Sequence, residues 1–187
     1  MTSSNRAKSS LKISNFGLAA RVLAGRRDPP QPGRGKALTS EFEIVEANLR
    51  DLGELRRLER ECFELDAWPL IDLIAVLIFP GIVRLKAVVN GKMAGFVASD
   101  LRRGEDLAWI VTIGVLPAFR HRGIARGLMH ACEARLTAQR IRLSVRRSNL
   151  PAIELYHNES YTQVDVWRNY YTDGEDALIL EKKVNVD

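Results

Sequence analysis

The chain has 187 residues, one domain's length with a little to spare. Apolar residues at 46% and charged residues at 27% exclude a collagen-like or wholly disordered chain, and two cysteines exclude a disulfide-dense secreted scaffold. The net charge of +5 belongs to the leader: residues 1–40 hold eight Lys/Arg and one acid, Asp28, against twenty bases and twenty-two acids in the other 147 residues, so charge gives the rest of the chain no nucleic-acid signature.

The first forty residues are rich in Ser, Arg, Gly and Pro. They bury too little apolar surface to offset their ordering entropy. They are expected to form a basic flexible tail, residues 1–40, ahead of a domain over residues 41–187. Leu18–Ala24 is the one stretch there suited to a helical turn or two. The basic, acid-poor composition also fits an organelle transit segment or an upstream start codon, and binding of nucleic acid through the tail is a third use. A secretory signal is excluded, because no apolar core of about 7–15 residues is present.

Phe42–Glu46 alternates and predicts a strand. Leu49, Leu52, Leu55, Leu58, Cys62 and Phe63 then recur at helical spacing with charges between them. Asp66 and Pro69 give start signals for a second helix through about Phe79, closed by Pro80-Gly81. That helix contains the longest apolar run, Leu70–Phe79. It falls short of the roughly 18–20 residues a membrane span needs, and it carries Asp72. Asn90-Gly91 joins two strands, Val83–Val89 and Lys92–Ser99, as a hairpin. Leu107–Leu116 is near-continuously apolar and reads as a strand buried on both faces. A glycine-containing turn leads to a helix from Gly123 to about Ala138, then a strand at Ile141–Val145. Asn149 and Pro151 open a helix to about Asn158, and strands near Thr162–Arg168 and Asp176–Val184 close the chain. A strand–helix–strand unit beside a hairpin gives a three-layer α/β domain with a mixed sheet, not a doubly wound one. Cys62 and Cys132 fall on apolar helix positions as core thiols, and His130 and His157 on the surface. The histidines and cysteines lack ligand spacing, so no metal is expected, and the setting is a reducing cytoplasm.

The sharpest feature is the run from Val115 to Gly127, where a buried strand ends and a basic loop opens a helix. Small residues at Gly123, Ala125 and Gly127 leave backbone amides unobstructed. The first helical N–H groups lack intrahelical partners, and the helix dipole adds roughly half a positive charge. Arg120, His121, Arg122 and Arg126 add more, which suits a polyphosphate. The loop has no Gly-Lys-Ser/Thr, so it is not a Walker loop. A dinucleotide fold wants an acid about 20 residues on, for the ribose. Ala134–Ile153 contains five arginines and no acid. The plain alternative is a helix start with solvated arginines.

Arg120-x-x-Gly123-x-Ala125 resembles the Gln/Arg-x-x-Gly-x-Gly/Ala signature of the GNAT acetyltransferases. Val145-Arg146-Arg147-Ser148-Asn149 through Tyr156 is similar to their second block. Arg168-Asn169-Tyr170-Tyr171 with Glu175–Leu180 resembles the tail of the ribosomal-protein-alanine acetyltransferases. The resemblance spans about Phe42 to Val184. It implies a mostly antiparallel sheet with one splayed parallel pair of strands, and acetyl-CoA as co-substrate. The diphosphate would fall on His121, Arg122, Gly123, Ile124, Ala125 and Arg126. Ile113, Gly114 and Val115 would lie beside the acetyl-pantetheine arm, with the Val115 amide polarising the thioester carbonyl. Asn149 would bond the arm, cap its helix, or both. Tyr156 would be the general acid, or an aromatic packing residue. Against a tyrosine near pKa 10, a thiol near 8.5 makes full proton transfer uphill by roughly 2 kcal/mol, so the proton need only be shared as the C–S bond breaks. Tyr170 and Tyr171 would line the acceptor cleft or pack.

The pattern departs from the family at the general base. Ser144 stands where the alanine acetyltransferases have Glu, and Gly114 where many similar enzymes carry an acid. Either the base is elsewhere, or water drains the proton, or the acceptor is a weakly basic amine. The Leu-Gly-Phe of the family reads Glu159-Ser160-Tyr161, which asks Ser160 to take a glycine-like turn at about 1 kcal/mol. The expected reaction is direct acetyl transfer to a primary amine of a protein or peptide N-terminus. A small-molecule amine acetyltransferase and a degenerate acyl-CoA sensor are the alternatives, in a monomer or homodimer. Acceptor identity is expected to reside in the loops Asp66–Trp68 and Tyr170–Gly174.

Overall fold

The computed structural model describes residues 21–22, 42–63 and 66–184; the 1–40 tail lies outside the described residues except for Arg21 and Val22. In chain order the strands are β1 (Arg21–Val22), β2 (Glu43–Glu46), β3 (Ile82–Val89), β4 (Lys92–Arg102), β5 (Leu107–Val115), β6 (Arg140–Arg146), β7 (Thr162–Trp167) and β8 (Ala177–Lys183). The helices are α1 (Leu52–Cys62), α2 (Leu70–Ile78), α3 (Ile124–Glu133) and α4 (Leu150–Asn158). One sheet runs β2-β3-β4-β5-β6-β8-β7, with β1 laid against β5. Its pairs are antiparallel except β5–β6 and β1–β5. The mixed, mostly antiparallel sheet is therefore present.

Local chemistry accounts for most element boundaries. Asn48 accepts from the Arg50 N–H and Asp51 accepts from the Asn48 N–H, a reciprocal cap ahead of α1. Asn90 and Gly91 both take positive φ, 50° and 74°, the turn the β3–β4 hairpin needs. Asn149 caps α4 by accepting from the Ala152 N–H at 3.3 Å. Ser160 does adopt positive φ, 69°.

Three expectations shift. The helical turn expected over Leu18–Ala24 is replaced at its centre by β1, because a ladder on β5 supplies backbone partners that a short isolated helix lacks. Asp66 does not start α2. The helix opens at Leu70 behind Pro69, and the Asp66 carboxylate is held by Arg146 at 2.6 Å. Helix α3 ends at Glu133 rather than near Ala138. Ala134–Gln139 instead return the chain to β6, with the Gln139 N–H donating to Asp106 Oδ1 at 3.1 Å.

The sheet separates two apolar layers. On one face, Ile124, Leu128, Met129 and Cys132 of α3 and Ala152 and Tyr156 of α4 pack with Ile110, Ile113 and Val115. On the other, Leu55, Leu58 and Cys62 of α1 and Leu73, Val76 and Leu77 of α2 pack with Trp109 and Val111. Strand β5 is buried at every position, as its unbroken apolar run predicts. Burial pushes the Cys62 thiol up to about 12 and the Cys132 thiol up to about 11, which fits inert core thiols.

Gly114 is fitted to this packing. A Cβ there would meet Leu58 Cδ2 at 3.1 Å and the Phe63 ring at 3.3 Å. An acid at this position would push a carboxylate into the α1–β5 contact. Gly114→Asp is expected to destabilise the fold by about 3 kcal/mol or more, and Gly114→Ala by about 1–2 kcal/mol. The check is the shift of the urea midpoint at constant slope.

Candidate active site

Strands β5 and β6 are in register only where Leu107, Ala108 and Trp109 face Arg140, Ile141 and Arg142. Beyond Trp109 they part. Strand β6 stays with β8 as far as Arg146, while Ile110–Val115 of β5 face no residue of β6. The only strand on that edge among the described residues is β1, with Arg21 opposite Thr112 and Val22 opposite Ile113. So Ile113 is laddered to the leader, and Gly114 and Val115 lie beyond it. The Val115 carbonyl accepts from Arg120 Nε at 3.2 Å, which folds the basic loop back onto the strand end.

The expected anion site lies at the mouth of α3. His121 and Gly123 both have positive φ, 60° and 78°, and a Cβ on Gly123 would meet nothing within 4 Å. The first helical bond runs from the Gly127 N–H to the Gly123 carbonyl, so α3 itself does not use the amides of its first turn. Ile124 is buried and anchors that turn, Ala125 packs beside it, and His121 and Arg122 are exposed. Arg122 stacks over Phe119 at 5.4 Å. The small size of Gly127 serves packing rather than access, since a Cβ there would sit 2.9 Å from the Phe42 ring.

Arg126 is partly committed elsewhere. Its Nε lies 2.5 Å from Glu159 Oε1, and His130 Nε2 lies 2.5 Å from Glu159 Oε2. Burial opposes ionisation of Glu159, but His130 and Arg126 outweigh it and hold the carboxyl below the ordinary glutamate range.

Tyr156 is fully buried in the α3–α4 layer, 5.6 Å from the Tyr161 ring. Its hydroxyl has no hydrogen-bond partner among the described residues. Desolvation raises its pKa well above 10, and Tyr171, which packs in the opposite layer, adds to the rise. Ser144, also fully buried, hydrogen-bonds the Tyr171 side chain and so fills the place of the expected carboxylate. Tyr170 and Tyr171 are in edge contact at 5.3 Å, and the aromatic wall continues from Tyr170 to Trp167 and then Trp109.

A family model described as Acetyltransferase (GNAT) family matches residues 52–159. The chain belongs to the GNAT acetyltransferase family. It is an N-acetyltransferase of that family, with acetyl-CoA as co-substrate. An N-alpha-acetyltransferase of Saccharolobus solfataricus is 28% identical over 156 residues, covering 76% of this chain and 93% of that protein. The crystal structure of the ribosomal-protein-S18-alanine N-acetyltransferase from Escherichia coli superposes with a TM-score of 0.71 at 27% identity, over 79% of this chain and 96% of that one. The Arabidopsis thaliana NAA60 structure in complex with acetyl-CoA gives 0.69 at 22% identity, over 78% of this chain and 100% of that one, a likeness of fold.

Of the residues expected from sequence, Ile113, Gly114 and Val115 lie on β5 past its register with β6, His121–Arg126 at the mouth of α3, Asn149 and Tyr156 at the cap and on the body of α4, and Tyr170 and Tyr171 between β7 and β8. Trp109, Trp167 and the ion-pair hub of Arg146 were not singled out from sequence. The partners of Arg146 are Asp66, Asp173 and Glu175, and Asp66 lies 80 positions away, beyond the reach of any local pattern. Among the described residues no group of three or more His, Cys, Asp or Glu forms a metal cluster, and no helix is long and apolar enough to cross a membrane.

The Glu159 cluster gives a pH test. Its folded pKa is depressed, so its contribution to stability is present above the unfolded value near 4.5 and is lost as pH falls through the folded value. Because Arg126 and His130 are exposed, that contribution is below about 1 kcal/mol. Denaturation midpoints between pH 6 and 3 should fall less steeply in Glu159→Gln than in the parent.

Proposed function

We propose that the protein transfers acetyl from acetyl-CoA to the free α-amino group of a protein or peptide N-terminus. The observation that carries this reading is the Tyr156 hydroxyl, fully buried on α4 with no hydrogen-bond partner among the described residues. A buried donor left without a partner costs about 1–3 kcal/mol, and a departing thiolate would satisfy it. The edge of β5 that β6 leaves after Trp109 and the first-turn amides of α3 fit the rest of the same molecule, an extended amide arm followed by a diphosphate. The names of the relatives, an N-alpha-acetyltransferase and a ribosomal-protein-alanine N-acetyltransferase, support an α-amine.

The residues divide the work as follows. The β5 edge at Ile113, Gly114 and Val115 aligns the arm, and the Val115 N–H points the carbonyl toward attack. The amides of His121–Arg126 hold the diphosphate, with the charges of Arg122 and Arg126 beside them. Asn149 caps α4 and orients the start of the helix that carries Tyr156. The amine nitrogen forms a bond to the carbonyl carbon, the C–S bond breaks, and Tyr156 shares its proton with the sulfur. Burial keeps the phenol protonated, so full transfer before the bond breaks is uphill by more than about 2 kcal/mol and the two events coincide.

Ser144 cannot accept a proton from an ammonium at neutral pH. That selects among acceptors by pKa. An α-amine near 8 is about one-tenth neutral at pH 7, whereas a lysine side chain near 10.4 is under about a thousandth neutral. Two buried free thiols agree with the cytoplasm as the compartment.

With isotope-labelled acetyl-CoA and a peptide bearing a free N-terminal alanine, mass spectrometry is expected to place the label on the α-nitrogen. Failure to label that peptide or any other free N-terminus, with CoA still bound, would favour the sensor alternative. Tyr156→Phe should lower kcat roughly a hundredfold with little change in KM. Its melting temperature should not fall, because the lost hydroxyl made no hydrogen bond. The leader strand and the cofactor arm need the same edge of β5. Val22→Pro, which removes a backbone donor and disfavours the strand, should therefore tighten CoA binding roughly three- to tenfold by calorimetry, the worth of one hydrogen bond.

A further inference from the structure

Arg146 ends β6 at the far end of the β5–β6 gap. Its Nε and Nη2 bond Asp66 Oδ2 at 3.1 and 2.6 Å, in the segment between α1 and α2. Its Nη1 bonds both carboxylate oxygens of Asp173, at 3.1 and 2.9 Å, and Glu175 Oε2 at 2.7 Å, in the loop between β7 and β8. The guanidinium carbon lies 4.0 Å from the centroid of the Tyr171 ring. One side chain therefore joins both loops at the gap to the tyrosine between them. The other Glu175 oxygen accepts from the Ser148 N–H at 2.7 Å, which extends the connection to the approach of α4.

We propose that Arg146 is a positioning residue that sets the width of the acceptor cleft, by latching the Asp66 loop to the Asp173–Glu175 loop over Tyr171. The proposal rests on reading this side of the gap as the acceptor's. Stability alone is a poor reason for the arrangement. Burying a guanidinium costs about what its ion pairs return, and apolar side chains of similar volume usually serve stability as well. Three carboxylates around one cation also exceed what neutralisation requires. What the cluster does supply is geometry: a planar fork addresses one loop with Nε and Nη2 and the other with Nη1 while its face covers an aromatic ring. A lysine ammonium makes point contacts and cannot hold all three in place.

The latch also reaches the chemistry indirectly. Tyr171 meets Tyr170 edge-on at 5.3 Å, and Tyr170 meets Trp167 at 5.1 Å. A shift of the Tyr171 ring would move the wall against which the amine approaches, while the cofactor side is fixed by β5 and α3.

The test uses the full chain with Arg146→Met, Arg146→Lys and Asp66→Asn, the N-terminal-alanine peptide as acceptor probe, and CoA alone as cofactor probe. Arg146→Met is expected to raise the peptide KM at least tenfold while the CoA Kd stays within twofold. Arg146→Lys should fall between Met and the parent, and Asp66→Asn should raise the peptide KM about threefold or more. Equal weakening of peptide and CoA would show a merely structural residue and overturn the proposal, as would a peptide KM within twofold of the parent in both Arg146→Met and Asp66→Asn. If Arg146→Met does not fold, Asp66→Asn decides by the same criteria. Hydrogen exchange of the ligand-free proteins separates this proposal from the acceptor assignment. Amides at 66–68 and 172–175 should exchange faster in Asp66→Asn than in the parent, whatever the acceptor is, and unchanged protection there would overturn the latch. A parent enzyme that acetylates no peptide, with faster exchange in the variant, would instead remove the acceptor reading and leave the latch standing.

Discussion

The parting of β5 from β6 after Trp109 is the constraint on which the rest depends. A parallel pair that stayed in register to Val115 would satisfy its own backbone groups and leave nothing to bind. Because the strands diverge, the β5 edge presents peptide groups inside the domain, where each unmet one costs about 1–3 kcal/mol. Such an edge binds extended chains with amide groups, and the leader strand β1 already meets it at Thr112 and Ile113. In the proposed reading, the pantetheine arm of the co-substrate is the other extended amide chain that this edge would receive. The opening is held from one side by Leu58 and Phe63 packed on Gly114, and at the strand end by Arg120 bonded to the Val115 carbonyl.

Tyr156, in the α3–α4 layer, and Tyr171, in the α1–α2 layer, are each held protonated mainly by burial. Under the proposed reading, the neutral Ser144 in β6 leaves proton removal to the acceptor's own ionisation, which would favour amines that are appreciably neutral near pH 7.

Two ion clusters flank the proposed centre. Glu159 draws on Arg126 beside the mouth of α3, so an anion bound there would depend more on the backbone amides of α3 than a count of arginines suggests. Arg146 gathers three carboxylates and an aromatic ring from separate parts of the chain. Both clusters constrain geometry more than they stabilise the fold, because exposed pairs are screened by water and buried ones repay their own desolvation.

The sequence by itself determined most of the elements and their order. Asn90-Gly91, the Asn149 cap, the apolar run of β5, the glycine at the mouth of α3 and Tyr156 on the following helix are all signalled by residues within a few positions of one another, and local backbone physics acts over that range. The GNAT-like blocks set the chemistry by the same short spacings. Tertiary structure alone decided that Asp66 serves Arg146 rather than a helix start, that Gly127 makes room for Phe42, that α3 stops at Glu133 so the chain can reach β6, and that β1 lies on the open edge of β5. Each of these joins segments far apart in the chain, and their meeting is fixed by how the sheet stacks its layers, which no local spacing encodes.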